Sequence, residues 1–295
     1  MPLFLLTVAI LVLQPMPALA FGPVAHVDMG LEILAQAGGL GTGLGALLNR
    51  YRREFLLGTL GPDRVVAKNL APYAWHSHNW DRAFRNLQET RDESERAALM
   101  GWLCHLAADV VAHNYFVPTK MAECYGSRMA QHIYWEMRFD ARFRHRIGPL
   151  NLKDLGFSEP EHRRFLKRVL PATMLGGRLN FGLTGLALRV QEGRAYTRLG
   201  RYLDRRSRLL LSQKEGDEVR RMAMDAQKDV LGKLSDSNVI RLDPRGLDSL
   251  KMGRKMRSQL RFMDVRRPST TPEIIRFAFS ANRHFRKTVE SSLAA

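Results

Sequence analysis

Cysteine is nearly absent from this chain: Cys104 and Cys124 are the only two in 295 residues. A bridge between them is permitted in an exported protein. Cys104, however, falls inside an apolar helical run, and two buried thiols are expected. Long apolar stretches are scarce as well, and after residue 20 none is long and apolar enough to span a bilayer. No segment sustains a period-two alternation, which argues against sheets and leaves an all-α chain. A nucleotide-cradling Gly-rich loop is missing, and so is a Gly-x-Ser-x-Gly elbow. Acidic residues are outnumbered, 29 Asp and Glu against 46 Lys and Arg, for a net charge of +17. That excess points to an anionic partner, phospholipid headgroups or nucleic acid, or else to a merely solvated basic surface.

Residues 1–20 read MPLFLLTVAILVLQPMPALA. The apolar core is short, Pro15 and Pro17 end it, and Ala18-Leu19-Ala20 fits a small-residue cleavage site. This is expected to be a secretory signal whose n-region carries no charge beyond the terminal amine; the alternative is an uncleaved membrane anchor. Removal would leave Phe21 first. What remains reads as a core over 21–150 and a basic helical region over 151–295 that packs on it or extends it.

The stretch around which the chain is organised is 101–116, GWLCHLAADVVAHNYF. His105, Asp109 and His113 recur at intervals of four, which stacks them on one helical face. Imidazole nitrogen and carboxylate oxygen are zinc's preferred ligands, and a buried Asp between two His is costly without a cation. Either this face binds metal or other side chains satisfy it. Residues 131–138, QHIYWEMR, add His132 and Glu136, a further i, i+4 pair of ligand type on a helix. Elsewhere the pattern predicts a helix from Pro23 to the Gly38-Gly39 pair, with His26 in its first turn, and a second over 47–57. Asp63 follows in a Gly-Pro turn, where it either points into a cavity or stabilises the turn. Arg64 and Lys68, close behind, meet a substrate phosphate or nothing. His76 and His78 lie in the aromatic segment YAWHSHNW. An exposed charged helix is expected over 81–95, and another helix over 158–170. Helical spacing resumes over 195–234 with a break near Glu215-Gly216, then a loop over 235–246, a strongly basic helix over 247–262, and a last helix from Thr271 to about Ser291.

In order, Phe21-Gly-Pro-Val-Ala-His26, Gly-Pro-Asp63, His-Ser-His78, His105-x-x-x-Asp109, His113 and His132-x-x-x-Glu136 resemble the bacterial zinc-dependent phospholipase C family. Its superfamily is shared with fungal single-strand zinc nucleases. The resemblance covers about residues 21–140 and implies an all-helical bundle holding up to three zinc ions. By that likeness, Asp63, His78, His105 and Asp109 would hold one ion. Asp109 would bridge to a second, held by His26 and by the amine and carbonyl of Phe21; His113, His132 and Glu136 would hold the third. The family usually has Trp at the new N-terminus, and Phe21 should serve because the backbone is the ligand. The Asp109-x-x-x-His113 gap is shorter than in the secreted phospholipases, which keeps His113 on the same face. His78 fits the motif better than His76, leaving His76 behind the ligands or facing substrate.

The implied protein is an exported, monomeric phosphodiesterase acting on phospholipid, with Asp63 orienting the attacking water or taking its proton. Glu136 favours this reading over the nucleases, which resemble the last motif with Asp there. The alternatives are a single-strand nuclease of the same architecture, for which nucleic acid is the partner, and a catalytically silent metal-bound module docking on an anionic membrane surface.

Overall fold

The computed structural model describes residues 21–64, 76–127, 132–148, 150, 155, 160–169, 198, 202, 211–266 and 271–294. The expected signal over 1–20 and its cleavage site lie outside them. Every regular element among the described residues is helical, in agreement with an all-α chain. No helix among them is long and apolar enough to cross a membrane.

Helix α1 (Pro23–Ala35) begins on a proline, where a missing N–H costs nothing, and gives way to a 3-10 turn at Ala37–Leu40. The single helix expected over 47–57 is two, α2 (Thr42–Arg50) and α3 (Arg52–Gly58). They part at Tyr51, whose ψ of 45° lies outside the helical region. The charged stretch also divides. Helix α4 (Trp80–Glu89) ends at Thr90, and α5 (Glu93–Val111) starts from Asp92, whose side chain accepts from the Glu95 N–H at 3.1 Å.

Helix α5 is the centre of the molecule. Every residue from Ala97 to Val111 is buried, as suits a run that is apolar on all sides but for His105 and Asp109. Helix α3 crosses it at backbone contact. A Cβ on Gly58 would lie 1.8 Å from the Ala98 carbonyl oxygen, and one on Gly101 would lie 2.0 Å from that of Phe55. Only glycine allows this approach. Helix α9 (Gln213–Lys233) covers α5 with Val219, Ala223, Ala226 and Val230, and Gln227 Nε2 donates to the Cys104 carbonyl at 3.2 Å. It starts at Gln213 from an extended Ser212, so the break expected near Glu215-Gly216 falls just ahead of that pair; Gly216 itself sits against the Arg142 and Phe143 side chains, so its bareness serves packing.

Past Val111 the helix widens into a π turn, Ala112–Phe116, and continues as α6 (Val117–Glu123). Pro118 has no N–H to return to the Asn114 carbonyl, and Val117 N–H reaches back to Ala112 instead. Helix α7 (His132–Phe143) packs on α1, and α8 (Pro160–Val169) is tied to α4 by Arg82, which donates to the Val169 carbonyl at 3.1 Å. Helices α10 (Leu247–Arg266) and α11 (Thr271–Leu293) lie against α6. Buried Asp28 of α1 receives Arg146 Nε at 3.0 Å and Arg220 Nε of α9 at 2.6 Å, which latches the first helix to α9. Both thiols are free, Cys104 buried and Cys124 half-buried.

Candidate metal centre

His105 and Asp109 stand one turn apart on α5, both buried. Around them gather His26 from the first turn of α1, His78 from the turn ahead of α4, and Asp63 from a 3-10 turn, Pro62–Arg64. The Asp109 carboxylate divides between its neighbours. Its Oδ1 lies 3.4 Å from His26 Nε2, while its Oδ2 lies 3.1 Å from His78 Nε2 and 3.3 Å from His105 Nε2. Asp63 Oδ1 is 3.4 Å from His78 Nε2 and 3.8 Å from His105 Nε2. The His26 and His105 rings stack, centroids 3.9 Å apart. In each of two overlapping groups, His26–Asp63–His105 and His78–His105–Asp109, one ligand-type atom per residue lies within 4.8 Å of the others.

Backbone acceptors decide what the rings offer. His105 Nδ1 is 2.8 Å from the Thr59 carbonyl oxygen, which can only accept, so Nδ1 carries a proton and Nε2 is the nitrogen turned inward. His78 is framed by Ser77 Oγ, 3.0 Å from its Nδ1, and by His76 Nδ1, which accepts the His78 N–H at 3.0 Å. His76 thus stands behind His78. It is His78 that meets His105, with 3.1 Å between their Nε2 atoms.

Both oxygens of Asp109 and both ring nitrogens of His26 are buried without a hydrogen bond among the described residues. A carboxylate in that state is costly unless a cation stands beside it. Burial works to raise the Asp109 pKa, but His105, with His26 and His78, holds it well below the usual carboxylate range. Burial, reinforced by His105, lowers the pKa of His26 and keeps its ring neutral. A carboxylate held ionised among imidazoles is a donor set that fits zinc.

Phe21 is buried, its ring 4.5 Å from that of Phe139 and 6.4 Å from that of Phe116, which anchors the chain just ahead of His26. Sequence reasoning missed Asp140. Buried on α7, it accepts the N–H groups of Val24 at 3.2 Å and Ala25 at 3.0 Å, so it caps α1 from another helix. Burial pushes its pKa up to about 7. A signal was present, since Asp140 continues the four-residue spacing of His132 and Glu136.

His113 belongs to neither group. It lies in the π turn, buried, with Nδ1 2.5 Å from the Pro244 carbonyl oxygen. Glu136 is buried on α7, and the His132 side chain lies outside the described residues. The three residues that the resemblance assigns to a third ion are therefore not seen assembled. Arg64 is buried, and that burial lowers its pKa to about 10. Lys68 lies outside the described residues.

A family model described as zinc dependent phospholipase C matches residues 25–175. That segment carries His26, Asp63, His78, His105, Asp109, His113, His132 and Glu136, and begins after Phe21. No curated protein and no solved structure matches the chain.

Proposed function

The chain belongs to the zinc-dependent phospholipase C family, and from that premise we propose that it is an exported, monomeric phospholipase C. It hydrolyses the glycerol–phosphate bond of phospholipids and uses up to three zinc ions. The observation that carries this reading is the divided Asp109 carboxylate, one oxygen toward His26 and the other toward His78 and His105. A carboxylate with its two oxygens toward different imidazoles would be able to serve more than one cation. His26, Asp63, His78, His105 and Asp109 would hold them, with Phe21 contributing its backbone once residues 1–20 are removed. His113, His132 and Glu136 would serve a third.

Zinc, when bound, supplies charge stabilisation at the phosphate oxygens and lowers the pKa of water to about 7. The protein's part is orientation and proton traffic. Asp109 is 1% exposed and Asp63 is 19% exposed, so Asp63 is the cluster carboxylate that solvent and substrate reach. It takes the proton of the attacking water. Thr59 and Ser77 keep the His105 and His78 rings from turning as charge develops.

The test uses mature protein, with chelator and with added zinc, on phosphatidylcholine vesicles and on single-stranded DNA. Zinc-dependent release of a phosphorylated headgroup and diacylglycerol is expected. Cleavage of DNA without lipid hydrolysis would make the protein a nuclease, and silence on both would make it a non-catalytic module. Intact mass of exported protein should begin at Phe21; another start in active protein would remove the backbone ligand.

A further inference from the structure

Helix α10 carries a face that the metal centre does not use. Its inner side holds Leu250, Gly253 and Leu260. Gly253 lies so close to Pro118 of α6 that a Cβ would stand 2.9 Å from the Pro118 Cα, and Arg257 donates to the Ser127 carbonyl. At about 100° per residue, the opposite arc gathers Leu247, Lys251, Met252, Lys255, Phe262 and Met263, with Arg254 at its edge and Asp248, Ser258 and Gln259 among them, all exposed. The apolar members are unusual for a surface: Phe262 is 61% exposed, Leu247 48%, Met252 42% and Met263 39%. Among the described side chains of α10, Asp248 is the acid that stands with the exposed Lys and Arg.

Cations interleaved with large apolar side chains on one helix face suit the boundary layer of a bilayer. The apolar groups enter the acyl edge while Lys and Arg reach lipid phosphates. A nucleic acid would reward the cations and leave the methionines wet. The helix is also framed to the π turn that continues α5. Pro244 and Asp243, just ahead of it, accept from His113 at 2.5 Å and from Asn114 Nδ2 at 2.9 Å, and Ser249 Oγ donates to Asn114 Oδ1 at 3.0 Å.

We propose that the exposed face of α10 docks on an anionic phospholipid surface and holds the metal centre against it. The purpose of the docking rests on the phospholipase reading; the docking itself does not. Full-length mature protein would be sedimented with phosphatidylcholine vesicles with and without phosphatidylglycerol. Two variants accompany it, one carrying Lys251→Glu, Arg254→Glu and Lys255→Glu, the other Met252→Ser and Met263→Ser. Wild type should partition onto the anionic vesicles, and each variant should lose about tenfold or more. Hydrolysis of a soluble short-chain phospholipid should be equal in all three proteins, so a failed phospholipase shows in that assay and a failed docking face in sedimentation. Equal partitioning of wild type and variants overturns the proposal. So does wild type that ignores the vesicles but binds single-stranded DNA through the same lysines and arginines.

Discussion

The Thr59 carbonyl oxygen lies 2.8 Å from Nδ1 of His105, and Thr59 directly follows Gly58, where α3 touches α5. The two facts form one arrangement. Backbone contact between the helices sets the height of that carbonyl, and the carbonyl sets the tautomer and tilt of the ring. Part of the metal centre is thus specified by atoms that never approach a ligand position.

Gly58→Ala and Gly101→Ala should each destabilise the protein by about 1–3 kcal/mol, because the new methyl meets a backbone carbonyl that cannot rotate away. A Cβ on Gly38 meets nothing within 4 Å, and Gly38→Ala should stay within about 0.5 kcal/mol of wild type. Denaturant midpoints at saturating zinc compare the three. Indistinguishable midpoints would show that α3 and α5 are not in backbone contact.

Asp109→Asn should strip more zinc than His113→Ala. The amide is neutral and binds zinc weakly, and it replaces a carboxylate facing three imidazoles from both of its oxygens. His113 stands apart, tied to Pro244. Metal analysis after dialysis gives the stoichiometry, and equal losses would refute the shared role of Asp109.

Asp63→Asn should abolish most turnover while leaving melting temperature at saturating zinc nearly unchanged. A lost general base alone costs about 10²–10⁴-fold, and Asp63 is the partly exposed residue of its three-residue turn, between buried Pro62 and Arg64. The rival view is a turn cap whose loss costs about 1 kcal/mol and spares chemistry. Normal turnover with lowered stability would favour the cap.

His162 of α8 gives a pH dependence. Burial, with the Arg64 and Arg53 charges beside it, lowers its pKa to about 3 from 6.5. The unfolded chain therefore takes up this proton first as pH falls. The stability from keeping His162 neutral is complete above pH 6.5 and drains away toward pH 3. Relative to His162→Gln, wild type should lose up to about 1.4 kcal/mol more per pH unit in that window. Unfolding curves of both proteins at saturating zinc measure the difference, and parallel pH profiles would mean that His162 is solvated.

Much of the site was legible because it obeys helical spacing. His105 and Asp109 are four apart, and His26 opens a helix whose start is marked by Pro23. The groups that orient the rings were not. The Thr59 and Pro244 acceptors are carbonyls, which every residue owns, so no letter of the sequence distinguishes them. The π turn was hidden for a similar reason: it arises from the N–H that Pro118 lacks, while the side chains of 112–116 keep an ordinary helical pattern. The break at Tyr51 has no Gly or Pro to announce it, whereas the start at Asp92 carried a signal, Asp-x-x-Glu, that the helix expected over 81–95 passed over.

Between Ala97 and Val111, α5 shows no residue to solvent. For a lineage under selection, such a helix is close to immobile. Any exchange along it must match the volume of what it replaces, on every side at once. Divergence toward other substrates therefore has to enter from segments that reach the cluster from outside, beginning with the partly exposed turn of Asp63. The helix at the centre would be inherited almost unaltered while its borders change.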